Sequence, residues 1–227
     1  MPQGYSTDLP DDYDRLIQVG SLSEMFDAVE QAGPDVNIIV WRRGELAGDF
    51  NTLSRAITSE YFTDRYLKSL NSYEESDFLE KISRHEEFSP QVETAALQVA
   101  NDIKETLCYM TAERQRKYIA CITAEGYRYK DTHLFHSDGA VWRLLAAYTN
   151  PATEWIRNED SVLVGKMGQT PIYDKAEGAL TYQFQPGDIW VHAGDYRDDF
   201  PAFLHKAPEP QLSHSRLLVT SDLNCGA

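Results

Sequence analysis

The sequence has little of what marks many function classes. Of its 227 residues only three are cysteine, Cys108, Cys121 and Cys225, and none forms a C-x-x-C pair. That excludes a disulfide framework and a cysteine zinc cluster, and implies reduced thiols. No apolar run approaches the ~20 residues that cross a bilayer. The opening Met1-Pro2-Gln3-Gly4-Tyr5-Ser6-Thr7-Asp8 lacks the positive and apolar regions of a secretory signal, so a cytoplasmic location is expected. Positive charge is scarce as well: 21 Lys and Arg stand against 36 acids, a net charge of −15. Without a basic stripe, neither nucleic acid nor a membrane surface is an expected partner. The chain also lacks a G-x-S-x-G elbow, a P-loop, a G-x-G-x-x-G turn after a strand and an H-E-x-x-H helix. Acidic residues are so numerous that glycosidase-type carboxylate pairs stay open.

What is present is globular: 42% hydrophobic and 25% charged residues, enough for a sizeable core. Charge and histidine are unevenly spread. Residues 1–115 hold 22 acids and 10 bases, whereas 116–227 hold 14 and 11. Five of the six histidines, His133, His136, His192, His205 and His214, fall in the second half. We therefore expect two regions, a mainly helical acidic one over 1–115 and a β-rich one over 116–227.

Local patterns support that division. After a polar, irregular start, Ser21-Leu22-Ser23-Glu24 reads as a capping box, and Leu22, Met25, Phe26 and Val29 share one helical face before Gly33-Pro34. Val36–Trp41 reads as a strand. Phe50, Leu53, Ile57 and Tyr61 recur at helical spacing, a pattern extending toward Leu70 with a break near Thr63-Asp64. Ser89-Pro90 opens the clearest helix, with Val92, Ala95, Ala96, Val99, Ile103, Leu107 and Met110 on one side. From residue 116 short β-type runs follow: Tyr118–Thr123, Thr132–His136, Val141–Thr149, Ala179–Phe184, Asp188–His192, Ala202–His205 and Ser215–Asp222. Helices followed by many short strands point to an α+β protein, a sandwich or barrel carrying a helical layer.

Phe135-His136-Ser137-Asp138 carries the chemistry. In a strand His136 and Asp138 share a face, and an imidazole plus a carboxylate can hold two corners of a metal sphere. His133, three residues earlier, has the wrong parity for a third ligand. His205, at the end of Phe203-Leu204, is the best-placed candidate. Two histidines and a carboxylate leave three positions open on an octahedral ion, the arrangement of non-haem Fe(II) oxygenases. Arg216 opens a strand eleven residues later, either as an edge charge or as a bidentate carboxylate anchor. Arg143, inside an apolar strand, needs a carboxylate partner or serves as a substrate or co-substrate contact. His192 is either a packed core histidine or a pocket residue near the metal. His85 and His214 read as exposed, and Trp142 and Trp190 as core. The charged loop Asp195–Asp199 is either solvated or selects substrate.

The order His136-x-Asp138, His205, Arg216 resembles the iron(II)- and 2-oxoglutarate-dependent dioxygenases, over about residues 116–224. Val141–Asn150 resembles the strand after the first ligands in the prolyl-hydroxylase-like branch. Gly187–Gly194 resembles the turn and strand before the distal histidine. His136–Trp155 and Leu204–Asp222 also resemble a bacterial family of proteins of unknown function. The dioxygenase resemblance implies a double-stranded β-helix (jelly-roll or cupin-like) core with a packed N-terminal helical layer. It further implies Fe(II) on His136, Asp138 and His205, 2-oxoglutarate as co-substrate with its distal carboxylate on Arg216, and a pocket or co-substrate role for Tyr148. Leu218 stands where many members carry Ser or Thr. The expected activity is a hydroxylase-type oxygenation of a small molecule or protein. The alternative is a module on the same barrel that binds Zn, Fe or another divalent metal without turnover, or a barrel that serves only for interaction. The sequence leaves substrate and oligomeric state open.

Overall fold

Short β-branched and aromatic runs broken by Gly and Pro build most of this molecule. The computed structural model describes residues 4–58, 66–69, 89–112, 119–125, 133–197, 201–208 and 216–223. The side chains of 56–58, 66–69, 107–112, 119–125, 216, 222 and 223 lie outside that description, as do His85, His214 and Cys225 altogether.

Three α-helices are described: α1 (Leu22–Gln31), α2 (Phe50–Thr58) and α3 (Pro90–Ala112). The strands are β1 (Tyr5–Ser6), β2 (Leu16–Val19), β3 (Ile38–Arg42), β4 (Tyr66–Ser69), β5 (Ile119–Glu125), β6 (Trp142–Ala147), β7 (Glu154–Ile156), β8 (Ser161–Met167), β9 (Thr170–Lys175), β10 (Thr181–Gln183), β11 (Asp188–Ala193), β12 (Leu204–Lys206) and β13 (Arg216–Leu223). They form a seven-stranded sheet, β2-β3-β11-β6-β13-β5-β4, a four-stranded sheet, β1-β10-β7-β12, and a β8–β9 ribbon. Neighbours are antiparallel except β1 with β10 and β2 with β3.

Strand alternation divides the large sheet into two apolar faces. Ile38, Val40, Leu145, Ala147, Trp190 and Leu218 face the small sheet and pack on Trp155, Tyr182, Phe184 and Phe203. Trp190 and Phe184 stack with ring centroids 3.9 Å apart. The intervening positions, Ile39, Leu144, Ala146, Val191, Leu217 and Val219, turn to the other face. There they share a cluster with Met25 and Phe26 of α1, Phe50 and Leu53 of α2, and Val99 and Ile103 of α3. The arginine and histidine of β6 and β11, Arg143 and His192, have the parity of the inner face.

Several expectations change. The stretch before residue 20 is not irregular throughout, because β1 and β2 join the two sheets. Residues 66–69 continue no helix; they pair as β4 along β5. Both halves of the chain contribute strands to the large sheet. β3 lies hydrogen-bonded between β2 and β11, so the first half supplies strands to the interior of the large sheet. β3 falls within the run expected as a strand, whereas β1 and β2 are short and only partly buried, which leaves their pattern weak.

Candidate metal centre

The centre is assembled from backbone pairing first. Next to β12, His136 and His205 form an antiparallel bridge in which each N–H donates to the other's carbonyl at 3.0 Å. Directly opposed residues project to the same side, and the two imidazoles stand 4.9 Å apart between centroids. Asp138 follows on the turn that leads from this bridge into β6. Its Oδ2 lies 3.3 Å from His205 Nε2. One donor atom from each of His136, Asp138 and His205 falls within 4.8 Å of the others.

Protonation suits ligation. His136 Nδ1 sits 2.7 Å from the Leu134 carbonyl, which can only accept, so Nδ1 carries the proton and Nε2 keeps its lone pair. Burial, with His205 beside it, pushes His136 below the ordinary histidine value. Burial lowers His205 too, against the pull of Asp138. For Asp138 burial works upward but is outweighed, because His205 and the hydrogen bonds from His192 and His205 hold the carboxyl well below its usual range. Neutral imidazoles and an ionised carboxylate are the states a metal requires.

Two side chains from the large sheet complete the surroundings of Asp138. Arg143 Nη1 is 2.5 Å from Oδ1, and His192 Nε2 is 3.0 Å from Oδ2. His192 is completely buried, its ring 4.7 Å from that of His205.

The family described as "Protein of unknown function (DUF1826)" matches residues 23–222. The chain belongs to this family. No curated protein matches it. Among solved structures it is similar to the dioxygenase for auxin oxidation 1 from Arabidopsis thaliana, in binary complex with 2-oxoglutarate, at 11% identity and a TM-score of 0.45, over 93% of this chain and 92% of that one. It is similar to full-length T7H from Neurospora crassa in complex with alpha-KG at 11% identity and 0.44, over 92% and 83%. The rice dioxygenase for auxin oxidation gives 10% and 0.42, over 92% and 82%. These likenesses are distant, and the chemistry of the centre rests on its own residues.

In this DUF1826 protein the expected site residues separate into three groups. His136, Asp138 and His205 come together. Arg143 is spent on Asp138 and is thereby drawn from the co-substrate role considered for it. Tyr148 follows β6 on the helix-facing side, stacks on Phe50 at 5.5 Å and donates its hydroxyl to Asp102 at 2.7 Å. Strand parity put it there, five residues from Arg143 and on the other face. Arg216 opens β13 opposite Glu125, two positions before inner-face Leu218; its side chain lies outside the described residues. His133 is not part of the cluster.

Of two further contributors in this DUF1826 chain, the sequence reading left His192 between a packed core histidine and a pocket residue near the metal, and it missed Gly194. For His192 the alternation Trp190, His192 on the inner strand face was the available signal. Gly194 had none: a Cβ there would lie 2.3 Å from the Ala140 carbonyl oxygen and 2.4 Å from that of Asp138. Behind that close approach, Asp195 N–H donates to the Asp138 carbonyl at 2.8 Å and Tyr196 N–H to that of Ala140 at 3.1 Å. The charged loop after β11 thus pins the backbone of Asp138.

Two imidazoles and a carboxylate are donor types that a divalent ion takes. Two donors about 2.1 Å from one ion stand roughly 3–3.4 Å apart, and His205 Nε2 with Asp138 Oδ2 already has such a separation at 3.3 Å.

Proposed function

We propose that this DUF1826 protein is a non-haem Fe(II)- and 2-oxoglutarate-dependent oxygenase of hydroxylase type, built on a double-stranded β-helix. The carrying observation is the convergence of His136, Asp138 and His205, whose donor atoms all lie within 4.8 Å of one another. Two facing sheets with helices on the outer side of one support the fold assignment. Bound there, Fe(II) together with 2-oxoglutarate and O₂ would supply the oxidising chemistry, which is the cofactors' own.

The chain's part is to bind and orient. His136 and His205 offer nitrogens from paired backbones, and Asp138 offers an oxygen from the crossing turn. With Arg143 and Tyr148 committed elsewhere, Arg216 is the residue we assign to the co-substrate's distal carboxylate. The inner aromatic core around Trp155 and Phe203 closes one side of the centre against water. No described helix is long and apolar enough to cross a membrane. The proposal includes a cytoplasmic location and a small-molecule or protein substrate, with nucleic acid kept off by the −15 charge.

The commitment of Arg143 to Asp138 favours one second reading, a divalent-metal protein without turnover, since the same donors take Zn(II) readily. Anaerobic addition of Fe(II) and 2-oxoglutarate to the full chain separates the two. The oxygenase should develop the weak visible charge-transfer band of an Fe(II)–2-oxo acid chelate, and Arg216→Ala should abolish it at limiting 2-oxoglutarate. Metal binding with no band leaves the second reading. Loss of metal in His136→Ala and His205→Ala, with retention in His133→Ala, is the expected ligand pattern; retention in all three would eliminate the centre.

A further inference from the structure

Asp138 is held from both sheets. His205 reaches its Oδ2 from β12 of the small sheet, at 3.3 Å. From the large sheet Arg143 takes Oδ1 and His192 takes Oδ2, at 2.5 and 3.0 Å. Arg143 and His192 are themselves register partners across the β6–β11 pair. They therefore present two donors side by side from a rigid platform toward one carboxylate on a turn.

We infer that Arg143 and His192 are positioning residues that fix the Asp138 carboxylate so that it offers a metal one oxygen, Oδ2. This rests on the metal-centre reading above and deepens it. An aspartate on a turn can rotate about its terminal torsion and present either oxygen, or both. Arg143 occupies Oδ1 through a charge-assisted bond, which removes that oxygen from competition. An ionised carboxylate only accepts, so the contact at 3.0 Å requires the proton on His192 Nε2. His192 is absent from the group of donor atoms that lie within 4.8 Å of one another, so its Nε2 serves as a donor to the Asp138 ligand and stands outside the ligand set. The burial of His192 and its packing 5.2 Å from Phe203 hold the ring in that pose. Partners of this kind commonly change metal affinity 10–100-fold when removed.

The test is Co(II) titration of the metal-free full chain, with ligand counting by X-ray absorption and with the metal-free melting temperature measured alongside. The wild type should bind through two imidazoles. His192→Phe, which keeps a ring but no donor, should weaken Co(II) about 10–100-fold, and His192→Gln, which restores an N–H, should recover most of that loss. Arg143→Met should weaken binding similarly and Arg143→Lys should recover part of it. Because Arg143 is partly exposed, its pair of variants decides the matter where His192→Phe fails to fold. Three imidazoles in the wild type and two in His192→Gln would make His192 a ligand and overturn the inference. So would unchanged affinity in both His192→Phe and Arg143→Met, with the metal-centre reading left standing. A wild type that binds no Co(II) overturns both.

Discussion

At Gly194 the absent side chain is a structural requirement. Its backbone lies against the carbonyls of Asp138 and Ala140, so a methyl group would meet oxygen at 2.3–2.4 Å, and backbone atoms cannot step aside as a flexible side chain would. Gly187 is constrained twice, by its φ of +98 and by the Gly44 carbonyl 2.3 Å from where a Cβ would stand. Gly194→Ala should cost roughly 1–3 kcal/mol, the usual range for overpacking. It should also displace the Asp138 turn and lower Co(II) affinity by more than the lost stability explains. Urea denaturation and metal titration of the same variant check both. Wild-type affinity in a destabilised Gly194→Ala would show that the turn adapts independently of the centre.

Helix starts follow local rules that the chain obeys with one displacement. Ser21 Oγ accepts from Glu24 N–H at 3.2 Å, and the glutamate reaches back to Gly20 N–H at 2.8 Å, one residue earlier than a strict capping box. Asp49 starts α2: Oδ1 accepts from Thr52 N–H at 2.9 Å and Oδ2 from the Thr52 hydroxyl at 2.7 Å. Those bonds, the backbone one first, lower the Asp49 carboxyl below its ordinary value. A depressed carboxylate adds stability that is fully present above its unfolded value of about 3.9 and is lost as pH falls through the folded one. Asp49→Ala should therefore cost about 1 kcal/mol near neutrality. The gap from wild type should close as pH drops below the unfolded value. Parallel thermal melts at neutral and acid pH would refute this if the gap were constant.

A buried polar network joins the helices to the sheet. The Asp102 carboxylate on α3 accepts from Arg43 Nη1 at 2.7 Å, from the Tyr148 hydroxyl at 2.7 Å and from Gln98 Nε2 at 2.9 Å. Arg43 Nε also donates to the Gly187 carbonyl at 2.8 Å. Arg43 follows β3, Tyr148 follows β6 and Gly187 precedes β11, so one carboxylate ties α3 to the ends of three neighbouring strands, two of which carry Arg143 and His192. Burial, followed by the Asp102 charge, raises the Tyr148 hydroxyl well above its ordinary value, which keeps it a donor. Removing one partner of a buried ion pair leaves the other uncompensated. Asp102→Ala should lose about 3–5 kcal/mol, and Tyr148→Phe, which removes one hydrogen bond to a charged group, about 1.5–3. Chemical denaturation measures both. Near-wild-type stability in Asp102→Ala would remove the network from the account of how the platform behind Asp138 is held.

Periodicity and composition determined a good deal of this protein. Helical spacing marked α1, α2 and α3, and apolar runs marked β3, β6, β11, β12 and β13, because burial of one face imposes its period on the chain wherever an element is long enough. Metal-ligand chemistry likewise restricted the candidates for His136, Asp138 and His205 to residues with the right donor atoms. The rest depended on contacts between distant segments. β1, β2 and β4 are too short or too polar to announce themselves, and they exist as strands because a neighbour supplies the hydrogen bonds. Tyr148 took its candidacy from its place in the chain, and packing set the face on which it stands. His192 and Arg143 became partners of Asp138, and Gly194 its support, because two sheets and a loop converge there. Donor identity is a property of a residue; the direction in which it is aimed, and what holds it, is a property of the packed whole.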